Sequence, residues 1–207
     1  MTGSIKIGCM NCRGLSSNIV KRRDIFNKCR DSYDISFLVD THCKKELETY
    51  WQAEWGYKAI FGSHTTSSRG VAILFRNTFS FEILGSKLDK GGNYVILDIK
   101  MFDQRMTVAA IYGPNDDKPD FYDAFQNDIE NFGNTSIIVG GDWNLPQNYG
   151  MDTLNYLHNN NTKAQKRVCE MMIELDLIDV YRELYPDKKG FPGEVQIKNK
   201  LDWIIFW

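Results

Sequence analysis

The chain predicts an α/β protein of the α+β kind, in which packed β-sheets are covered by helices on their outer sides. Three observations carry that prediction. Between Tyr57 and Tyr112 five short apolar runs follow one another, separated by Gly, Ser, Asn and Asp, as strands joined by turns. Helical patterns lie before and after this run rather than alternating with it, which favours packed sheets with outer helices. The 43% hydrophobic content of 207 residues allows one sizeable core. No repeat, low-complexity tract or linker divides the chain, so a single domain over 1–207 is expected.

Residues 4–10 alternate, with Ile5, Ile7 and Cys9 on one side, and read as the first strand. The strand runs into Asn11-Cys12-Arg13-Gly14, where Asn11 is either a turn residue or a polar group facing a site. Ser17 is placed to cap a helix over 18–30, with Ile19, Phe26 and Cys29 toward the core. Lys21-Arg22-Arg23 on that helix reads as a solvated face. Residues 34–40 form a second apolar strand ending in Asp40, a carboxylate poorly placed for stability and well placed for a ligand. His42 reads as a packing or supporting histidine. Residues 44–55 carry Leu47, Tyr50, Trp51 and Trp55 at helical spacing, as core.

Strands over 58–61, 71–75, 79–88, 94–101 and 106–112 follow, with Gly91-Gly92 as a hairpin-like break. Ile111-Tyr-Gly-Pro-Asn115 closes the run and leaves Tyr112 and Asn115 as polar groups at a strand terminus. Residues 120–132 are helical in pattern, and Thr162 is placed to cap a helix over 163–175.

The most informative stretch is Ser136 to Pro146, Ser-Ile-Ile-Val-Gly-Gly-Asp-Trp-Asn-Leu-Pro. A buried strand ends at two glycines, which let the backbone turn and keep side chains away from a ligand. In an extended chain Asp142 and Asn144 share a face, a proton acceptor beside an amide donor. The same residues also describe an ordinary turn.

A net charge of −2 excludes nucleic-acid binding by bulk positive charge, but not binding through an acidic site that uses a cation to meet phosphate. Cysteines 9, 12, 29, 43 and 169 lack the second close pair a zinc site needs. They read as reduced, buried thiols, hence an intracellular protein, nuclear or cytoplasmic. No signal peptide, membrane-length apolar run or lipidation motif is found, so no membrane partner is expected. Leu201-Asp-Trp-Ile-Ile-Phe-Trp207 is an apolar last strand carrying Asp202.

Polar groups therefore stand at the ends of four predicted strands (Asn11, Asp40, Tyr112 and the Asp142/Asn144 pair), and Asp202 lies in a fifth. The motifs are Met-Asn-Cys-Arg-Gly at 10–14, Asp-Thr-His at 40–42 and Ser-Arg-Gly-Val-Ala-Ile-Leu-Phe at 68–75. Ile-Tyr-Gly-Pro-Asn at 111–115, Gly-Gly-Asp-Trp-Asn-Leu-Pro at 140–146 and Leu-Asp at 201–202 complete them. Together, and in this order, they resemble the exonuclease–endonuclease–phosphatase superfamily, most closely the endonuclease domain of LINE-type (non-LTR) retrotransposons.

The resemblance implies a four-layer α/β/β/α sandwich of two mixed β-sheets and a Mg²⁺- or Mn²⁺-dependent, phosphodiester-cleaving DNA endonuclease. By resemblance, Asp142 activates water, Asn144 orients the scissile phosphate and Tyr112 hydrogen-bonds it. Asn11 positions the metal site, Asp40 binds the metal, and Asp202 orients a histidine further on in the family. The family generally has glutamate where this chain has Asp40. It also ends its site with a Ser-Asp-His strand, whereas this sequence stops at Trp207 and its histidines 42, 64 and 158 do not align with that strand. The expectations are a C-terminally shortened domain with impaired catalysis, weak and salt-sensitive DNA binding, and self-association through the open edge or a tail, 192–207, folded into the vacant slot. The alternative is a non-catalytic nucleic-acid- or protein-binding protein on the same fold.

Overall fold

A computed structural model describes residues 5–101, 103–134, 136–152, 159–188 and 204–206. Asp202, His158 and most of the segment 192–207 lie outside the described residues. In chain order the elements are β1 (Ile7–Asn11), α1 (Ile19–Ser32), β2 (Ile35–Val39), α2 (Glu48–Trp55, entered through a 3₁₀ turn at Lys45–Leu47) and β3 (Ala59–Gly62). Next come β4 (Val71–Phe75), β5 (Glu82–Leu88), β6 (Tyr94–Met101), β7 (Gln104–Tyr112) and α3 (Pro119–Glu130). The last are β8 (Ile137–Asp142), α4 (Tyr149–Asp152), α5 (Thr162–Glu174), α6 (Val180–Leu184) and β9 (Ile204–Phe206).

The strands form two mixed sheets, β1-β2-β4-β3 and β5-β6-β7-β8-β9. In the first, β1 and β2 are parallel and the others antiparallel; in the second, β7, β8 and β9 are parallel. Period-2 alternation sorts the side chains into layers. Ile35, Phe37 and Val39, Val71, Ile73 and Phe75 of one sheet face Val95, Leu97, Val108, Ala110 and Ile138 of the other. Leu38, Ala72 and Leu74 point outward against Phe26, Trp51 and Trp55 of α1 and α2. Ile96, Ala109, Ile111 and Val139 pack outward on Tyr122, Phe125 and Val168 of α3 and α5. This is the four-layer sandwich. Gly140 is required for the close approach of its sheets, because a Cβ there would stand 2.3 Å from the Phe37 ring.

Several local expectations shift. The cap of α1 is Asn18 rather than Ser17; its side chain accepts the Lys21 N–H at 2.9 Å. Starting one residue later puts Arg22, Phe26 and Cys29 at i, i+4 and i+7, and these are the buried face. Ile19, expected in the core, is exposed in the first turn, and Tyr50 is likewise exposed. Thr162 is the first residue of α5 and not its cap. Asp117 does the capping, accepting from the N–H groups of Lys163 at 3.4 Å and Ala164 at 2.7 Å. The strand expected from 79 begins at Glu82 and is an exposed sheet edge with a register shift at Ile83/Gly85.

Arg22 overturns the solvated-face reading of Lys21-Arg22-Arg23. It is 2% exposed, pairs with Glu54 at 2.5 Å, donates to the Leu15 carbonyl and lies over the Trp51 ring. Arg23 bonds the other Glu54 oxygen at 3.1 Å. Burial pushes the Glu54 pKa up, but the two guanidiniums more than offset this and hold it below the usual carboxylate value. A folded pKa below the unfolded one means that the pair stabilises at neutral pH and loses its effect as pH falls through the lowered value. Glu54→Ala strands the Arg22 charge in the α1–α2 layer and is expected to cost about 3 kcal/mol at pH 7. Urea unfolding checks this, and a cost under about 0.5 kcal/mol would show that the pair is mere surface electrostatics.

Candidate active site

Asn11 and Val39 are partners in the parallel β1–β2 pair, as are Tyr112 and Asp142 in β7–β8, so each pair ends its strands together. The two ends meet across the sandwich: Asn11 Nδ2 donates to Asp142 Oδ2 at 2.6 Å. Alternation explains why. Asn11 follows Ile7 and Cys9, Tyr112 follows Val108 and Ala110, and Asp142 follows Ile138, all on the inner face. These polar side chains are the top layer of the inter-sheet core, where the strands' carboxyl ends open a crevice.

Asp142 is held from two sides, with Oδ1 accepting from the Asn144 N–H at 3.0 Å. The expected extended geometry is absent, because Asn144 has φ +54 and the chain turns after β8. An Asx turn, in which the aspartate side chain accepts from the backbone two residues on, joins the two residues instead. Asn144 Nδ2 donates to the Gly113 carbonyl at 2.6 Å, and the same carboxamide stands against the Tyr112 phenol. Tyr112 is fixed through its backbone, whose N–H donates to Asn93 O at 2.6 Å and whose carbonyl accepts from Asn93 Nδ2 at 2.8 Å. Burial, then the nearby Asp40 carboxylate, raises the Tyr112 pKa above its usual value, while Asn144 and Arg69 pull the other way. The phenol therefore stays protonated at neutral pH, as a donor.

Asp40 follows β2 at φ +52. Its Oδ1 is within 3.0 Å of His42 Nε2 and accepts from the Arg69 N–H at 3.2 Å. His42, at φ +58, donates its own N–H to the Arg69 carbonyl at 2.8 Å. Gly14 is required beneath it: at φ +78, a Cβ would lie 2.7 Å from His42 Nδ1. Of the eight non-glycine residues with positive φ among the described residues, Arg13, Asp40, His42, Arg69 and Asn144 ring this crevice. Such strain concentrates at functional sites.

Among the described residues no group of three or more His, Cys, Asp or Glu side chains is arranged round a metal position. The donors present are hard oxygens: the Asp40 and Asp142 carboxylates and the Asn11 carboxamide. That set fits Mg²⁺ or Mn²⁺, which take one or two carboxylates and keep several waters. Thiols are soft donors, ill matched to either ion. Burial raises the pKa of Cys9 to about 12, and the other four cysteines are raised likewise, so all five stay protonated.

Of the expected site residues, Asn11, Asp40, Tyr112, Asp142 and Asn144 lie round one crevice, and Asp202 lies outside the described residues. Asn115 follows β7, and its backbone carbonyl accepts from Asn161 Nδ2 at 2.9 Å. His42 takes the supporting place expected of it, beside Asp40, whereas Asn93 and Arg69 were given no role by the sequence. The signal for Arg69 is a cation followed by glycine at the entry to a buried strand.

No family model matches the chain. A curated Xenopus laevis protein described as "Transposon TX1 uncharacterized 149 kDa protein" is 26% identical over 163 residues, covering 77% of this chain. The chain spans only 12% of that relative's length. Among solved structures, an AP endonuclease from Archaeoglobus fulgidus superposes with TM-score 0.67 at 16% identity over 89% of this chain and 76% of its own. An AP endonuclease from Leishmania major gives 0.67 at 14% over 90% and 71%. A 3′ phosphatase from Neisseria, bound to a product DNA hairpin, gives 0.65 at 16% over 91% and 77%. No helix among the described residues is long and apolar enough to cross a membrane.

Proposed function

We propose that this chain, a homologue of a transposon-encoded protein on the exonuclease–endonuclease–phosphatase fold, is a Mg²⁺-dependent, DNA-cleaving endonuclease domain of retrotransposon origin. One observation carries the reading: the 2.6 Å Asn11–Asp142 bond that closes two strand ends from different sheets round a carboxylate, with Tyr112 and Asn144 beside it. The DNA hairpin in the Neisseria neighbour supports DNA as the substrate class.

Asp142, with both oxygens already oriented, takes a proton from water as the water oxygen bonds to phosphorus and one ester P–O bond breaks. Asn144 and the Tyr112 hydroxyl donate to the non-bridging phosphate oxygens, whose charge grows in the transition state. Asp40 and Asn11 would hold the divalent ion, which when bound supplies charge neutralisation at the phosphoryl group.

The test is nicking of supercoiled plasmid with Mg²⁺ and with EDTA. Tyr112→Phe, which keeps the ring and removes the donor, should slow nicking about 10²-fold. Absence of Mg²⁺-dependent nicking by the wild type would sink the catalytic reading. A second reading, a nucleic-acid- or protein-binding module without catalysis, draws on Asp40, one of whose oxygens is already committed to His42 and Arg69. In that case the wild type would bind DNA and leave plasmid intact.

A further inference from the structure

We propose that the Arg69 guanidinium is the phosphate-binding cation of this crevice, holding a DNA phosphodiester beside Tyr112 and Asp40. This rests on the nuclease reading and goes beyond it by assigning the group that meets the backbone charge. Two carboxylates, Asp40 and Asp142, make the crevice acidic, and DNA carries a negative charge on every phosphate. A bound strand therefore needs a fixed cation here.

The Lys21-Arg22-Arg23 cluster does not supply it, and Arg13, also at the rim, is held there through its backbone N–H, bonded to Asn11 Oδ1 at 3.1 Å, rather than through its side chain. Arg22 is buried against Glu54, Arg23 is bonded to the same carboxylate, and the Lys21 ammonium is spent on the carbonyls of Arg13 and Gly14, both at 3.2 Å. Lys44 faces Glu46.

Arg69 is placed differently. Val71, two residues on, pairs with Val39 across the antiparallel β2–β4 ladder, so residues 68–70 enter at the rim where β2 ends. Tyr94 pairs with Ile111, which brings the 89–93 turn to the same rim. The Arg69 backbone is pinned by its bonds to the Asp40 carboxylate and the His42 N–H. Its side chain leans across to the Gly91 carbonyl at 3.4 Å, and its charge is felt at Tyr112.

Among the described residues Arg69 makes no ion pair, and this carbonyl takes one of five N–H donors. A planar, exposed fork with its backbone locked and, among the described residues, no carboxylate in ion-pair contact is the group suited to phosphate.

The test is fluorescence anisotropy of the full chain with duplex DNA in EDTA across a salt series. Arg69→Ala should weaken binding about tenfold at low salt. It should also reduce the slope of log affinity against log salt by about 0.9, one phosphate contact. Arg69→Lys should keep the slope while losing part of the affinity. Lys166→Ala, on outer helix α5, removes the same charge and should change neither. Thermal melting shows that each variant is folded.

Wild-type binding with an unchanged Arg69→Ala slope overturns this assignment and leaves the nuclease reading standing. Equal loss in Lys166→Ala overturns it also, by reducing the effect to net charge. A wild type without measurable DNA binding overturns both.

Discussion

Asp142→Ala should lower Mg²⁺-dependent plasmid nicking by about 10³-fold, the span of a positioned general base, without unfolding the protein. Asp142 is half-buried at the open end of β8, so truncating it leaves no enclosed cavity. It does release Asn11 Nδ2 and the Asn144 N–H, both of which can turn to water at the rim. Asp142→Asn separates charge from packing. An amide cannot accept at both atoms, so it faces Asn11 or Asn144 with a donor against a donor, and it cannot take a proton from water at neutral pH. The two variants should therefore be about equally slow. The measurement is a single-turnover nicking rate beside a thermal melt. A variant that keeps a tenth of the wild-type rate would remove Asp142 from water activation and shift that role to another group.

The reach of the sequence differs between the fold and the site for physical reasons. Strand alternation is local, so the inner face of β7, Met106, Val108 and Ala110, is readable without knowing what it packs against, and Tyr112 follows at the next inward position. Glycine spacing exposed the end of β8 in the same way. Caps were displaced where the winning acceptor was remote: Asp117 is 46 residues from Lys163, and no local pattern announces it. Arg22 misled because charge predicts exposure until a partner such as Glu54 is supplied by a second helix. The Asp40–His42–Arg69 knot was invisible because it depends on three positive-φ residues from two strand ends 29 positions apart.

Asp40 carries the second large expectation, and its geometry decides what should be measured. One methylene shorter than glutamate, it does not reach freely into the crevice. A left-handed backbone at φ +52 and two contacts on Oδ1 hold it instead. Among the described residues Oδ2 accepts no hydrogen bond, which leaves one carboxylate oxygen for a hard cation. A site with so few carboxylates keeps most of the ion's waters, so Mg²⁺ should bind weakly, at about millimolar affinity. Titration calorimetry should show that heat in the wild type and lose it in Asp40→Ala, with nicking slowed by about 10²-fold or more, since displacement of a positioned group by an ångström already costs that much. His42→Ala removes one of the two contacts on Oδ1 and should weaken the binding heat without abolishing it, because the Arg69 N–H is main chain and stays. If Asp40→Ala gives the same Mg²⁺ heat as the wild type, the cation is held elsewhere, and the positive-φ knot at 40, 42 and 69 serves the backbone alone.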